Sequence, residues 1–97
     1  MKKPSFIEIK NLLRFQILLE LRKKKLCGDE LAAIIGKNKK TKLTAGTIYP
    51  ALKFLRRKKL IKHRKVGRKK IYSLTKDGEK ELLLVKKLFR KMFRKFL

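Results

Sequence analysis

The stretch LTAGTIYPALK, residues 43–53, decides how the rest of this 97-residue chain is interpreted. Thr44 is a residue type that caps helix N-termini, and a helical pattern follows it over residues 45–59. Inside that helix, Pro50 removes one backbone hydrogen bond and crowds the carbonyl group of Gly46. We therefore predict a helix that bends at Pro50 or has an irregular first turn.

The two sides of this predicted helix differ in chemistry. One side is apolar, because Ile48, Leu52 and Leu55 share it, and we expect it in the core. The opposite side begins with small residues and ends with cations, namely Gly46, Pro50, Lys53 and Arg57. Small residues let the N-terminal half approach another surface closely, and the cations favour an anionic one. This side is therefore the first candidate binding site.

Three hydroxyl side chains lie near the start of the same helix. A helix N-terminus with free N–H groups is itself a phosphate site, so Thr44 and Thr47 are predicted to cap the helix, to contact phosphate, or both. Tyr49 would fill an edge of the core or direct its hydroxyl to a phosphate. We favour phosphate contact because Tyr49 lies beside Pro50 near the helix start.

The charge of the chain indicates the class of its partner. There are 31 Lys or Arg residues against 7 Asp or Glu, a formal charge of +24. No acid lies between Leu31 and Lys76, a span that contains 16 Lys or Arg residues. Such a chain repels itself, and a polyanion relieves the repulsion, which makes nucleic acid the first candidate partner. A hydrophobic content of 43% is enough for a folded domain.

Two helices are predicted before residue 43. The first covers residues 6–25, because apolar residues recur at helical spacing: Ile9, Leu12, Leu13, Phe15, Leu19 and Leu26. Cys27-Gly28 interrupts this pattern. A short second helix then covers Leu31–Ile35 and is expected to stop at Gly36, before a basic linker over residues 37–43.

A β-hairpin is predicted after the third helix. Residues 60–65 and 70–74 are short and contain β-branched or aromatic residues, and residues 66–69 connect them with a glycine at position 67. The hairpin is basic, with candidate nucleic-acid contacts at Arg64, Arg68, Lys69 and Lys70. We expect the hairpin tip to lie near phosphates, with Arg68 able to enter a narrow minor groove.

A last helix is predicted from Thr75, its expected cap, to the end of the chain. Its apolar residues repeat at intervals of three and four, and cations occupy the other face. One domain of this size cannot easily cover so long an apolar stripe, which predicts an interface with a second copy of the chain. The predicted interface residues are Leu82, Val85, Phe89, Met92, Phe93 and Phe96.

The predicted order of three helices, a hairpin and a fourth helix is that of a winged helix-turn-helix. Residues 43–53 resemble the L-[ST]-x-G-T-[LI]-Y-P-[AL]-L signature of PadR-like transcriptional regulators. Leu60-Ile61, residues 67–75 and Gly78 are similar to the wing and post-wing pattern of that family. The resemblance covers about residues 12–82, and the single C-terminal helix resembles the compact form of the family.

This chain departs from the family pattern at two places. The family usually has His-Gly-Tyr-Glu before its second helix, where residues 27–30 are Cys-Gly-Asp-Glu. The family usually has an acidic run ending in glycine after the third helix, where residues 56–59 are Arg-Arg-Lys-Lys. Lys59 would then occupy a left-handed cap position at a cost of about 1 kcal/mol, unless the turn is built differently.

The resemblance implies a homodimeric DNA-binding repressor. The single cysteine, Cys27, cannot form an intramolecular disulfide, so we expect a reducing, intracellular setting, in the cytoplasm at the nucleoid. The third helix of the repressor would enter the major groove of double-stranded DNA, and the wing would follow the backbone or the minor groove. The implied fold is mainly α with a small β-hairpin, in which residues 1–75 form the winged-helix domain and residues 76–97 a C-terminal dimerisation helix of the same structural unit. The first helix is expected to assist the dimer. A small-molecule effector is compatible with the resemblance but has no support in the sequence.

Other functions remain as alternatives. A general or architectural nucleic-acid-binding protein would also explain the charge, which exceeds what specific recognition requires. Residues 83–97 resemble a basic amphipathic helix on an anionic membrane, although a membrane partner is disfavoured. An enzyme is not expected, because one His, one Cys and seven acids mostly near the ends offer no catalytic pair, and neither a metal site nor a cofactor is predicted.

Overall fold

The computed structural model describes the backbone of residues 9–37 and 45–94, and side chains within residues 11–37 and 46–94. The predicted positions Thr44 and Phe96 lie outside these residues. The described elements, in chain order, are α1 (Ile9–Lys23), β1 (Leu26–Cys27), α2 (Gly28–Lys37), α3 (Ala45–Arg57), β2 (Ile61–Val66), β3 (Lys69–Leu74) and α4 (Lys76–Arg94).

One hydrophobic core joins these elements. The predicted apolar side of α3 lies in it, with Ile48, Leu52 and Leu55 at most 2% exposed. Because burying such a side chain contributes about 1.5 to 3 kcal/mol, this side fixes which face of α3 is left for solvent. The other elements contribute Leu13, Ile17, Leu18, Leu21, Leu26, Leu31, Ile35, Ile61, Tyr72 and Leu82.

The sheet has three antiparallel strands in the order β1-β3-β2 rather than a hairpin alone. The added strand pairs Leu26 with Tyr72 and Cys27 with Ile71. The expectation that Leu26 continues the stripe of the first helix is therefore wrong, since α1 ends at Lys23. A two-residue strand shows no alternation in sequence, and only its pairing with β3 defines it.

The turn of the hairpin is shorter than predicted. Val66 pairs with Lys69, so only Gly67 and Arg68 connect the strands, and both neighbours belong to β2 and β3. Gly67 has a φ of 63°. Glycine at the first position of a two-residue turn is typical of the type II′ hairpin, whose twist matches that of the strands.

Helix α2 is longer than predicted at both ends, running from Gly28 through Gly36 to Lys37. At its start, the backbone N–H of Cys27 donates to Oε1 of Glu30 at 3.0 Å, which is half of a capping box. This hydrogen bond lowers the pKa of the Glu30 carboxyl. At its end, a glycine in a helix costs only about 1 kcal/mol relative to alanine, which the packing of Leu31 and Ile35 exceeds.

Helix α3 is continuous through Pro50 and ends two residues earlier than predicted, at Arg57. Lys59 has a φ of 61°, so its predicted left-handed conformation is confirmed. The N–H of Leu60 donates to the carbonyl of Leu55 at 3.0 Å, and that of Lys59 to the carbonyl of Arg56 at 2.9 Å. These two bonds form a Schellman motif that ends α3 and turns the chain into β2.

Helix α4 begins as predicted, because the N–H of Gly78 donates to Oγ1 of Thr75 at 3.0 Å. Leu82, however, is fully buried in the core of its own chain. Its predicted place in an interface with a second chain is therefore wrong. The first turns of α4 pack over the sheet and α1, and they leave no surface at Leu82 for a partner.

Candidate nucleic-acid interface

The solvent side of α3 is the one that the sequence singled out. Gly46, Thr47, Tyr49, Pro50, Lys53 and Arg57 are all exposed. The burial of the opposite side requires this arrangement, since a helix presents residues three and four apart on one face. The structure thus places small residues at the beginning of an exposed face and two cations further along it.

Tyr49 lies across the start of α2. A Cβ atom built on Gly28 would be 2.9 Å from both Cε1 and the hydroxyl oxygen of Tyr49, so the ring rests on the glycine backbone. Burial raises the pKa of the Tyr49 hydroxyl, and the neighbouring Asp29 carboxylate raises it further. The side chain nevertheless remains 42% exposed. Its hydroxyl therefore has protein on one side and solvent on the other.

A groove of about 300 Å³ connects α3 with the wing, which is the turn and adjoining strand ends of β2 and β3. Cations from the wing form one wall, and Tyr49 with the start of α2 forms the other. Three cations against one carboxylate give the groove a net positive charge. Its lining residues are Cys27, Gly28, Asp29, Tyr49, Arg68, Lys69, Lys70 and Tyr72.

An aromatic pair lies on the face of the sheet that is turned toward α3. The rings of His63 and Tyr72, which face each other on β2 and β3, stack with centroids 5.4 Å apart. Burial lowers the pKa of His63, and the charges of Arg56 and Lys70 lower it further. A cation of α3 and a cation of the wing therefore both lie close to this ring pair.

Arg64 is not part of this interface. Successive residues of a strand point to opposite faces, and His63 faces α3, so Arg64 faces away from it. It lines a separate groove with Lys25, Lys62 and Ser73. The structure thus brings the wing cations Arg68, Lys69 and Lys70 toward α3 and leaves Arg64 on the far side of the sheet.

Two supporting residues were missed by sequence reasoning. The Arg14 guanidinium lies over the Phe54 ring, 3.4 Å from its centroid, and joins α1 to the back of α3. Asp29 lies beside Tyr49 although 20 residues separate them in sequence. Sequence spacing offered no signal for Arg14, whereas Asp29 was visible only as a charge at the start of a helix.

The far end of the molecule has an apolar surface. Phe89 packs on Phe15 of α1 with ring centroids 5.5 Å apart, and Phe93 follows at 5.9 Å from Phe89. Beside them, Leu84, Leu88 and Met92 form a stripe at intervals of four residues that is more than half exposed.

A groove of about 730 Å³ lies between α1 and α4. Its lining residues are Leu12, Phe15, Lys86, Phe89, Arg90, Phe93 and Arg94. Leu84 and Leu88 were not among the predicted interface residues.

The part of the chain that the structure describes contains neither a membrane-spanning helix nor a cluster of metal-ligating side chains. No helix among these residues is long and apolar enough to span a bilayer. No three His, Cys, Asp or Glu side chains among residues 11–37 and 46–94 are grouped as metal ligands would be.

Three helices, a three-stranded sheet and a basic wing beside an exposed third helix define a winged helix-turn-helix protein. Within that class, the family model described as the transcriptional regulator PadR-like family matches residues 17–83, and the chain belongs to this family. The predicted resemblance is thereby confirmed. The chain is a member of a family of transcriptional regulators and not an enzyme.

Solved structures of similar proteins agree with this assignment. A PadR family transcription regulator from Clostridium difficile is 29% identical, with a TM-score of 0.74 over 87% of this chain and 96% of that one. A transcriptional regulator from Thermoplasma acidophilum is 25% identical, with a TM-score of 0.74 over 90% and 91% of the two chains. A PadR-like transcription factor from Bacteroides fragilis, 22% identical, shares the fold with a TM-score of 0.81 over 90% and 88%. No curated protein sequence matches the chain significantly.

Proposed function

We propose that this protein is a sequence-specific, homodimeric DNA-binding regulator that acts as a repressor in the cytoplasm, at the nucleoid. The observation that carries the proposal is the groove between α3 and the wing. There the exposed start of a helix and three wing cations converge on one side of the molecule. A DNA duplex is the partner whose shape and charge suit both elements at once.

Helix α3 is the element that would enter the major groove, which is about 12 Å wide and admits one α-helix. Gly46 and Pro50 permit a close approach because they carry little or no side chain toward the base edges. Lys53 and Arg57 then reach bases or phosphates from the same face. Thr47, together with Thr44 before it, would contact a phosphate at the helix start.

Tyr49 and the wing would hold the duplex in register. The half-exposed Tyr49 hydroxyl hydrogen-bonds the Asp29 carboxylate, and it would donate to a phosphate oxygen once the phosphate replaces Asp29 as its acceptor. Arg68, Lys69 and Lys70 would contact the backbone on the other wall of the groove. Phosphate contacts of this kind fix position and add affinity, whereas base contacts by α3 would select the sequence.

The dimer would form through α4 with help from α1. Leu84, Leu88 and Met92 are 54%, 53% and 58% exposed, and such a continuous apolar stripe favours an apolar partner. A second copy would cover this stripe and the neighbouring Phe89 and Phe93. Val85, half-buried at the edge of the same stripe, would join the interface. Residues 76–97 would then serve as the dimerisation helix of a domain formed by residues 1–75.

A repressor role is proposed because the chain resembles the compact PadR-like form, in which one C-terminal helix follows the wing. A dimer seated on a two-fold symmetric site would block access to that DNA.

Selection of random duplexes by the purified protein would test the proposal. We expect a consensus of two inverted half-sites about one helical turn apart. A consensus without two-fold symmetry would contradict the dimer but leave sequence recognition intact. Binding with no consensus, and with affinity that depends only on salt, would favour the general nucleic-acid-binding alternative.

A further inference from the structure

The face of the sheet that points away from α3 has a groove of its own. Ile61 and His63 of β2 face the core and α3, so Lys62 and Arg64 between and after them point outward. The groove has a volume of about 290 Å³ and is lined by Lys25, Lys62, His63, Arg64, Ile71 and Ser73. We refer to it as the outer basic groove. None of the described residues that line it is acidic.

The outer basic groove continues into a second depression along the connection between α1 and β1. This depression has a volume of about 310 Å³ and shares Lys25 and Ser73 with the first. It adds two cations, Arg22 and Lys24, and one acid, Glu79. The two depressions together form a track with five cations and a single carboxylate.

The cations of the outer basic groove are not neutralised within the chain. Lys25, Lys62 and Arg64 are exposed, and none of them forms an ion pair with a side chain in the described residues. Like charges held this close repel one another, and a row of phosphates relieves the repulsion by displacing small counterions. The hydroxyl of Ser73 adds a hydrogen-bond donor to the same floor.

We propose that the outer basic groove binds the phosphate backbone of a second DNA duplex, so that the protein bridges two segments of DNA. The inference rests on the proposed function, in which α3 and the wing hold the first duplex. It assigns to Arg64 a role on a surface different from the one that α3 presents.

The occupant is DNA rather than a lipid surface because the groove lacks apolar anchors. Among the described residues that line it, Ile71 is the one large apolar side chain, and it is half-buried in the sheet. In the part of the chain that the structure describes, the exposed large apolar side chains lie chiefly on α4, and Val66, which is on the same face of β2 as Arg64, stands at the hairpin end outside the groove lining. A membrane-binding surface combines cations with such side chains, whereas a backbone-binding surface needs cations and hydroxyls alone.

The occupant is a second duplex rather than the flank of the first because of where the two surfaces lie. Lys62 and Arg64 point to the face of the sheet opposite to α3, on a molecule with principal extents of 48, 32 and 21 Å. Duplex DNA has a persistence length of about 50 nm, so a short flank does not fold back around an object of this size. Two independent segments are therefore required.

A two-duplex capture experiment tests the inference. An immobilised duplex carrying the selected consensus is saturated with protein and washed, and a fluorescent second duplex is then added. The test variant is Lys25→Gln/Lys62→Gln/Arg64→Gln. The matched control, Lys80→Gln/Lys87→Gln/Lys91→Gln, removes the same charge from exposed positions of α4 that line neither groove.

We expect the test variant to load on the first duplex as the parent does and to capture about tenfold less of the second, since three cations no longer neutralise phosphates. The control variant should capture about as much as the parent. Capture that is unchanged in the test variant, or equally reduced in both variants, would overturn the inference, as would a loaded parent that captures no second duplex. If the parent fails to load on the first duplex, the proposed function itself fails and the inference falls with it.

Discussion

The Thr75 hydroxyl donates a hydrogen bond of 2.7 Å to the backbone carbonyl of Lys59, the residue in the left-handed conformation that follows α3. The same hydroxyl accepts the N–H of Gly78 at 3.0 Å as the cap of α4. One side chain thus connects the end of the proposed recognition helix to the start of the proposed dimerisation helix. The two helices are held in a fixed relation although 16 residues separate the bonded pair.

Replacing Thr75 with Val should reduce the free energy of unfolding by about 1 to 2 kcal/mol, because a helix cap and a hydrogen bond are removed while the shape is kept. Thr75→Ser keeps the hydroxyl, so its loss of unfolding free energy should be less than about half the loss in Thr75→Val. Urea denaturation of both variants would measure the difference. Equal losses in the two variants would show that the methyl group rather than the hydroxyl matters.

Gly78→Ala should destabilise the protein by about 3 kcal/mol, since the new Cβ would overlap the carbonyl oxygen of Leu60, which is backbone and cannot move aside. Gly28→Ala is the matched control at the start of another helix. Its Cβ meets only the far end of the Tyr49 side chain, which can shift, so the change should stay below about 1 kcal/mol. Thermal unfolding of the two variants gives the comparison. Similar stabilities would contradict the close packing at Gly78.

Lys53→Ala should weaken binding to the selected duplex by about 1 to 3 kcal/mol if Lys53 contacts a base edge, and by less, with a shallower salt dependence, if it contacts phosphate. Lys87→Ala, on the exposed polar face of α4, serves as the control. Fluorescence anisotropy at several salt concentrations would separate the two cases. A Lys53→Ala/Arg57→Ala double variant that folds and still binds as the parent does would place the interface elsewhere.

Neutralising Arg68, Lys69 and Lys70 should lower the slope of log K against log salt by about 0.9 for each phosphate that the wing no longer neutralises. The preferred sequence should stay the same, because these residues lie at the wing and would contact backbone. Repeating the duplex selection with this variant, alongside the salt titration, measures both. A changed consensus with an unchanged slope would assign the wing to base recognition.

Leu88→Asp should convert the dimer to a folded monomer with weaker binding to the full two-fold site, because it places a charge on the exposed apolar stripe of α4. Leu88 is preferable to Phe89 for this purpose, since Phe89 packs on Phe15 of its own chain. Lys87→Asp introduces the same side chain on the adjacent, polar face and should leave the dimer intact. Analytical sedimentation would measure the oligomeric state of the two variants. A dimeric Leu88→Asp variant would exclude this stripe from the interface.

Much of the fold could be predicted from the sequence because the signals are local. The apolar side of α3, the cap at Thr75 and the left-handed Lys59 each depend on residues a few positions apart, and the structure contains all three. The residues at which the helices begin and end were less predictable. Gly36 continues α2 instead of ending it, because the packing of Leu31 and Ile35 outweighs the small intrinsic cost of a glycine.

The sequence by itself determined the order of the four helices and the hairpin, the family and the exposed face of α3, since hydrophobic periodicity and the G-T-x-Y-P motif are properties of neighbouring residues. Tertiary structure alone decided which side chains share a surface. Pairing across the sheet turned Arg64 away from α3 and toward Lys25, and packing against the core removed Leu82 from the surface of α4. These outcomes depend on contacts between residues far apart in the chain, which no local pattern records.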